Sequence, residues 1–210
     1  MIMTGNKCDE VALRGMSKAS DVAIQNKRIA IIGAAGVGKT TLLDAVIASG
    51  SEAISQGYTK IPEAVKVLCG ERGYNSPYEI PAEEIHKFRE DVLDRQIELE
   101  NDAGVFIADR SVIDSWVYYM RWSWNSTSVE DAESFYQKAF QQAKKYDLLI
   151  YLPIMFEVED DGFRWKNDVY QKQIDRVLLS TVKDWGLEDK VFRVTELDLQ
   201  ARVEEITCHF

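Results

Sequence analysis

Ile29-Ala30-Ile31-Ile32-Gly33-Ala34-Ala35-Gly36-Val37-Gly38-Lys39-Thr40-Thr41-Leu42-Leu43 decides the reading of this 210-residue chain. The four apolar residues predict a short strand buried on both faces. Residues 33 to 40 then match G-x-x-x-x-G-K-[ST] at every fixed position, and Leu42, Leu43, Val46 and Ile47 recur at helical spacing over Thr40 to Ala48. Glycines at these places let consecutive backbone N–H groups turn inward around phosphate oxygens, and the helix N-terminus adds the positive end of its dipole. Gly33, Ala34, Ala35, Gly36, Val37, Gly38, Lys39, Thr40 and Thr41 are therefore the expected phosphate-binding residues. Lys39 is expected to reach the β- and γ-phosphates of ATP, and Thr40 to offer its hydroxyl to Mg²⁺.

Outward from this loop, strands and helices alternate. The pattern predicts strands at 27–32, 58–61, 104–108, 148–152 and 191–194. Helices are expected at 40–48, from Ala64, from Pro81 to about Asn101, at 112–124, from a Thr127/Glu130 capping box to about 143, at 167–185 and from Leu197 onward. In the long helix from Pro81, Ile85, Phe88, Val92 and Leu99 form the expected buried stripe, and the face rich in Glu and Arg is expected to be solvated. Short apolar strands alternating with helices predict a mostly parallel sheet covered by helices on both sides, with ligands at the carboxyl ends of the strands. Residues 1–26 lack periodic apolar positions and read as a tail or loosely attached segment, which leaves 27–210 as one domain.

Composition narrows the function. A formal net charge of −10 opposes nucleic-acid binding, which draws on basic patches. Apolar runs are of strand length and predict no membrane span, and no secretory leader pattern is present, so a cytoplasmic protein is expected. The three cysteines, Cys8, Cys69 and Cys208, show neither a disulfide framework nor zinc-ligand spacing. His86 and His209 are isolated. Asn6-Lys7-Cys8-Asp9 has a guanine-reading pattern, but no apolar strand delivers it.

A second chemical signal is Val105-Phe106-Ile107-Ala108-Asp109-Arg110-Ser111. The strand delivers Asp109 to the sheet edge that carries the phosphate loop, where it can hold Mg²⁺ directly or through water. Arg110 follows it in place of the glutamate with which many ATP-hydrolysing motors polarise water. A cation there suits clamping a phosphate or the transferring group. Trp116, Tyr118, Tyr119, Trp122 and Trp124 offer either a stacking surface for a base or ordinary core packing. Arg89 and Gln96 are candidate acceptor contacts.

The phosphate loop, Pro62-Glu63-Ala64, the helix with Arg95-Gln96, Asp109-Arg110-Ser111 and Asp160-Asp161-Gly162-Phe163-Arg164 occur in the order seen in small P-loop kinases. Over roughly residues 27 to 205 the chain resembles the AAA-type, ribosylnicotinamide-kinase-like group and is similar to deoxynucleoside and thymidylate kinases. This resemblance implies a P-loop NTPase fold, an α/β three-layer sandwich with a mostly parallel five-stranded sheet and a mobile lid. It implies Glu63 as the general base toward an acceptor hydroxyl, with Asp109 open as an alternative. Lys39, Arg110 and the lid residue Arg164 would surround the phosphoryl group, with Lys166 and Arg176 assisting. Asp109-Arg110-Ser111 departs by one methylene from the Glu-Arg-Ser of deoxynucleoside kinases, and ribosylnicotinamide kinase domains lack the arginine.

The implied activity is ATP-dependent phosphoryl transfer to a small-molecule nucleoside-type acceptor, a deoxynucleoside or a nicotinamide riboside-like compound. A nucleoside monophosphate kinase is the nearest alternative, and a nucleotide-dependent ATPase or switch that binds a protein partner is the alternative of another class. A homodimer stays open.

Overall fold

A computed structural model of the chain describes residues 27–50, 57–123, 125, 127–156, 167–207 and 209. The expected tail at 1–26, the lid segment with Arg164 and Lys166, Trp124, Cys8, Cys208 and the 6–9 motif lie outside the described residues.

Along the chain run β1 (Arg28–Ile32), α1 (Lys39–Ala48), β2 (Thr59–Ile61), α2 (Ala64–Arg72), α3 (Ile85–Ala103), β3 (Phe106–Asp109), α4 (Val112–Ser123), α5 (Val129–Ala143), β4 (Leu148–Tyr151), α6 (Asp168–Asp184), β5 (Val191–Arg193) and α7 (Leu199–Thr207). The described strands form a five-stranded sheet in the order β2-β3-β1-β4-β5, and every ladder is parallel. The expected α/β layered architecture is therefore the observed one.

Burial explains the order. Ile29, Ala30, Ile31 and Ile32 of β1 are all 0% exposed, as befits a central strand covered on both faces. The flanking β3 and β4 are almost as apolar, with Phe106, Ile107, Ala108, Leu149, Ile150 and Tyr151 buried. The edges differ from expectation. In β2 Thr59 and Lys60 are exposed, and in β5 Arg193 is, because an edge strand has a neighbour on one side only.

Two helix starts also differ. Residues 81–84 form a turn closed by Glu84 N–H to the Pro81 carbonyl, so α3 begins at Ile85 and not at Pro81. That turn leaves the preceding Ile80 in a small apolar cluster with Leu68, Phe88 and Val92. The cap of α5 is Ser128, whose Oγ accepts from Asp131 N at 3.0 Å, one residue later than the Thr127/Glu130 reading. Thr127 is engaged elsewhere, its hydroxyl 2.6 Å from that of Tyr119.

The face of α3 expected to be solvated is in part internal. Arg89, Gln96 and Glu100 are buried. Glu100 is 0% exposed because α5 and the Tyr146 loop cover it, with Tyr146 OH donating at 2.6 Å and Gln142 Nε2 at 2.8 Å. Among the described residues no helix is long and apolar enough to cross a membrane.

Candidate active site

Parallel register brings the chemistry together. Ile31 of β1 stands beside Asp109 of β3, so the loop leaving β1 and the end of β3 share one edge. Gly33 opens that loop at φ +145°, and a Cβ there would lie 2.6 Å from the Leu152 carbonyl oxygen, which leaves room for no larger residue. Gly38, at φ +87°, forms the N-cap of α1. Lys39 is buried, and its Nζ donates to the carbonyls of Gly33 at 2.8 Å and Ala34 at 2.7 Å. Burial, followed by the nearby Arg110 charge, lowers its ammonium to about 7.

Thr40 Oγ1 donates to Asp109 Oδ2 at 2.5 Å, while Asp109 Oδ1 is buried without a hydrogen-bond partner among the described residues. A hydroxyl and an unsatisfied carboxylate oxygen side by side are the hard oxygen donors a Mg²⁺ ion takes, so Thr40 and Asp109 fit the expected metal pair. Thr41, by contrast, is exposed on α1. Gln171 on α6, not singled out in the sequence, donates to the Ala35 carbonyl at 2.7 Å and ties the loop to that helix.

The same register argument applies to Glu63. Ile61 pairs with Ala108, so the residues two positions beyond each, Glu63 and Arg110, arrive at the same level. Arg110 Nε donates to Glu63 Oε1 at 2.5 Å, and a second guanidinium nitrogen lies 3.4 Å from Asp114 Oδ1. Burial by itself would lower the Arg110 guanidinium. Glu63 first, then Tyr118, Asp114 and Asp109, together outweigh this and hold it well above its ordinary value. Arg110 adopts φ 80°, the positive-φ non-glycine residue of the described backbone. That conformation turns its side chain back toward Glu63 while its N–H continues the ladder to the Ile31 carbonyl at 3.1 Å.

Asp114 is a further site residue the sequence reading passed over. Its carboxylate accepts from Ser111 N at 3.0 Å and Ser111 Oγ at 2.8 Å, and Ser111 Oγ in turn accepts from Ile113 N at 3.1 Å. The Ser-x-x-Asp spacing was the available signal for this reciprocal cap. Burial pushes the Asp114 carboxyl up, against the Arg110 and Lys39 charges.

A pocket opens beside this cluster. Ala35 of the phosphate loop lines it together with Glu63, Arg110 and Asp114, so the loop and the pocket communicate. Arg89 and Gln96, the candidate acceptor contacts, are among its lining residues, and Tyr78, Tyr118, Trp122 and Tyr170 supply aromatic walls. The aromatic cluster is thus divided: Tyr118 and Trp122 reach the pocket, whereas Tyr119 stacks on Phe135 at 3.9 Å and Trp116 packs against it in the core. Arg176 on α6 is not among the lining residues.

A loop built to wrap phosphates, aligned with a strand-end carboxylate on an all-parallel sheet, defines a P-loop nucleotide-binding protein with the fold of the small P-loop kinases. A family model described as AAA domain matches residues 28–202, and the chain belongs to that family. Among curated protein sequences no match is found.

Solved structures extend the comparison. A NadR protein in complex with NR superposes with a TM-score of 0.66 at 19% identity, over 87% of this chain and 50% of that one. Deoxyadenosine kinase from M. mycoides with bound dATP gives 0.57 at 18% identity, over 86% of this chain and 97% of that one. A NadR complex with NAD and AMP-PNP gives 0.57 at 17% identity, over 87% and 48%. The chain spans about half the length of the NadR chains it matches. At these identities the likeness is one of fold.

Proposed function

We propose that the chain transfers the γ-phosphoryl group of ATP to a nucleoside-type acceptor, a deoxynucleoside or a nicotinamide riboside-like compound. One observation carries this reading: the aromatic-walled pocket that holds Glu63 and Arg110 also has Ala35 of the phosphate loop in its wall. A hydroxyl entering that pocket meets a carboxylate next to the site of the triphosphate. The structural neighbours include a deoxyadenosine kinase with bound dATP and a NadR protein in complex with NR, which supports the same reading.

In this scheme the backbone of residues 33–40 and Lys39 hold the phosphates, and Thr40 and Asp109 hold Mg²⁺. The ion would supply neutralisation of phosphate charge. Glu63 takes the proton of the acceptor hydroxyl, and Arg110 both orients that carboxylate and stabilises the transferring group. Residues 27–210 act as one kinase domain, and Arg164 adds a cation from the segment after β4. The rival roles follow from the acceptor: a monophosphate acceptor makes a general base less important and an additional arginine more so. A nucleotide-dependent ATPase with a protein partner would need neither acceptor nor base.

The test is ATP consumption with a panel of nucleosides, nucleoside monophosphates and nicotinamide riboside. One nucleoside-type acceptor is expected to stimulate turnover, and Glu63→Gln to lower kcat by about 10²- to 10⁴-fold with nucleotide binding retained. Hydrolysis that no panel member stimulates, or a Gln variant of full activity, overturns the proposal.

A further inference from the structure

The pocket contains a cation for which the described residues provide no counter-charge. Arg89 lies on α3, is 8% exposed and lines the pocket wall. Neighbouring arginines are paired: Arg72 with Asp91, Arg95 with Glu71 at 3.0 Å, and Arg110 with Glu63 at 2.5 Å. Arg89 forms no ion pair among the described residues, and its buried Nε has no hydrogen-bond partner there. What surrounds it is aromatic, with the ring centroids of Phe88 and Tyr118 each 5.9 Å from the guanidinium carbon.

The two acidic groups of the pocket are already committed. Glu63 and Asp114 both face Arg110, whose guanidinium carbon lies 5.2 Å from the centroid of the same Tyr118 ring. A desolvated charge without a partner is among the most costly features a fold can keep, and ring faces recover only part of that cost. Burial accordingly lowers the Arg89 guanidinium from its ordinary value, and the Arg110 charge lowers it further. A guanidinium offers a planar fork of donors matched to a carboxylate or phosphate.

We propose that the acceptor taken by this pocket carries an anionic group, a carboxylate on its ring or a phosphate ester on its sugar, and that Arg89 receives it. The inference rests on the kinase reading and narrows its substrate class. A neutral acceptor would cover Arg89 and leave it without a counter-charge. An anionic one completes the charge pattern, with Glu63 and Arg110 facing the hydroxyl and Arg89 facing the anion.

Two pairs of probes keep the acceptor hydroxyl free and differ chiefly in this charge: nicotinamide riboside against nicotinic acid riboside, and deoxyadenosine against its 3′-monophosphate. Calorimetric titration with Mg-AMP-PNP present is expected to show the anionic member of one pair binding at least about tenfold tighter to the wild type. Which pair shows it separates ring carboxylate from sugar phosphate. In Arg89→Gln the advantage disappears while Mg-AMP-PNP affinity is unchanged. Independently of any acceptor, Arg89→Met keeps the apolar bulk and removes the unpaired charge, so the unliganded variant is expected to melt a few degrees higher than wild type.

Equal or tighter binding of both members that lack the anionic group, an advantage that survives in Arg89→Gln, or a lower melting temperature for Arg89→Met overturns the role of Arg89. Phosphoryl transfer to the members that lack the anionic group, without preference for those that carry it, does so and leaves the kinase reading standing. Absence of binding or transfer with all four probes overturns both.

Discussion

Arg110 concentrates the chemistry of the site in one residue. Its φ of 80° is a region that costs a non-glycine residue about 1–2 kcal/mol, and its side chain holds two buried carboxylates, Glu63 and Asp114. These contributions can be separated. Arg110→Ala and Arg110→Gly both lose the ion pairs, yet glycine tolerates the positive φ. Urea denaturation is expected to find both variants several kcal/mol less stable than wild type, with the glycine variant about 1 kcal/mol the better of the two. Equal stabilities would show that the backbone stores no strain there. The identities of Lys39, Thr40, Asp109 and Arg110 were legible because a motif names them. That Asp109 keeps one unpartnered oxygen among the described residues, and that Asp114 joins Arg110, could be read only from the positions of neighbouring segments.

At the scale of the element, α3 departs most from its sequence pattern. An acidic, basic stripe ordinarily faces water, but α4 and α5 cover part of this helix, so Arg89, Gln96 and Glu100 are internal. Glu100 becomes a shared acceptor: Gln96 Nε2 donates to it at 2.8 Å, and Tyr146 OH donates while itself accepting from Val112 N at 3.0 Å. Through this chain of donors a pocket-lining residue is linked to the first turn of α4. Burial raises the Glu100 carboxyl above its ordinary 4.5 against these hydrogen bonds. The penalty of its charged form is therefore present above the raised folded value and is relieved as pH falls toward 4.5.

Tyr146→Phe removes a donor to that charge and an acceptor for Val112 N–H. We expect it to cost about 2–3 kcal/mol at pH 8 and less at pH 5, because the raised carboxyl takes up its proton at a higher pH in the fold than in the unfolded chain and needs the donor less once protonated. Denaturation curves at the two pH values check the sign; a larger deficit at pH 5 would contradict the assignment of Glu100 as the acceptor.

The whole molecule rests on two unequal apolar clusters. The larger joins β1, β3 and β4 to α1, α4, α5 and α6, and the smaller holds Leu68, Cys69, Ile80, Phe88 and Val92 beneath α2 and the start of α3. Since the free energy of local opening rises with the apolar area that opening exposes to water, amide exchange of α2 and the first turns of α3 should report a lower local stability than the central strands. Ligand in the pocket should raise the protection of those same amides, because Ala64, Val65 and Arg89 line it. Uniform protection across the molecule would instead describe a single cooperative unit.

The sequence by itself determined what neighbouring residues can settle among themselves: the phosphate loop, whose glycines set the local backbone, and the apolar runs that make central strands of a parallel sheet. Edge strands were legible only as strands, since their exposure depends on having one neighbour. The tertiary structure decided which separate signals meet. Glu63 and Arg110 are 47 residues apart and touch because two parallel strands share a register, while Arg89 and Glu100 are buried because other helices lie over them. Register and helix packing are properties of pairs of elements, and no single stretch of residues contains them.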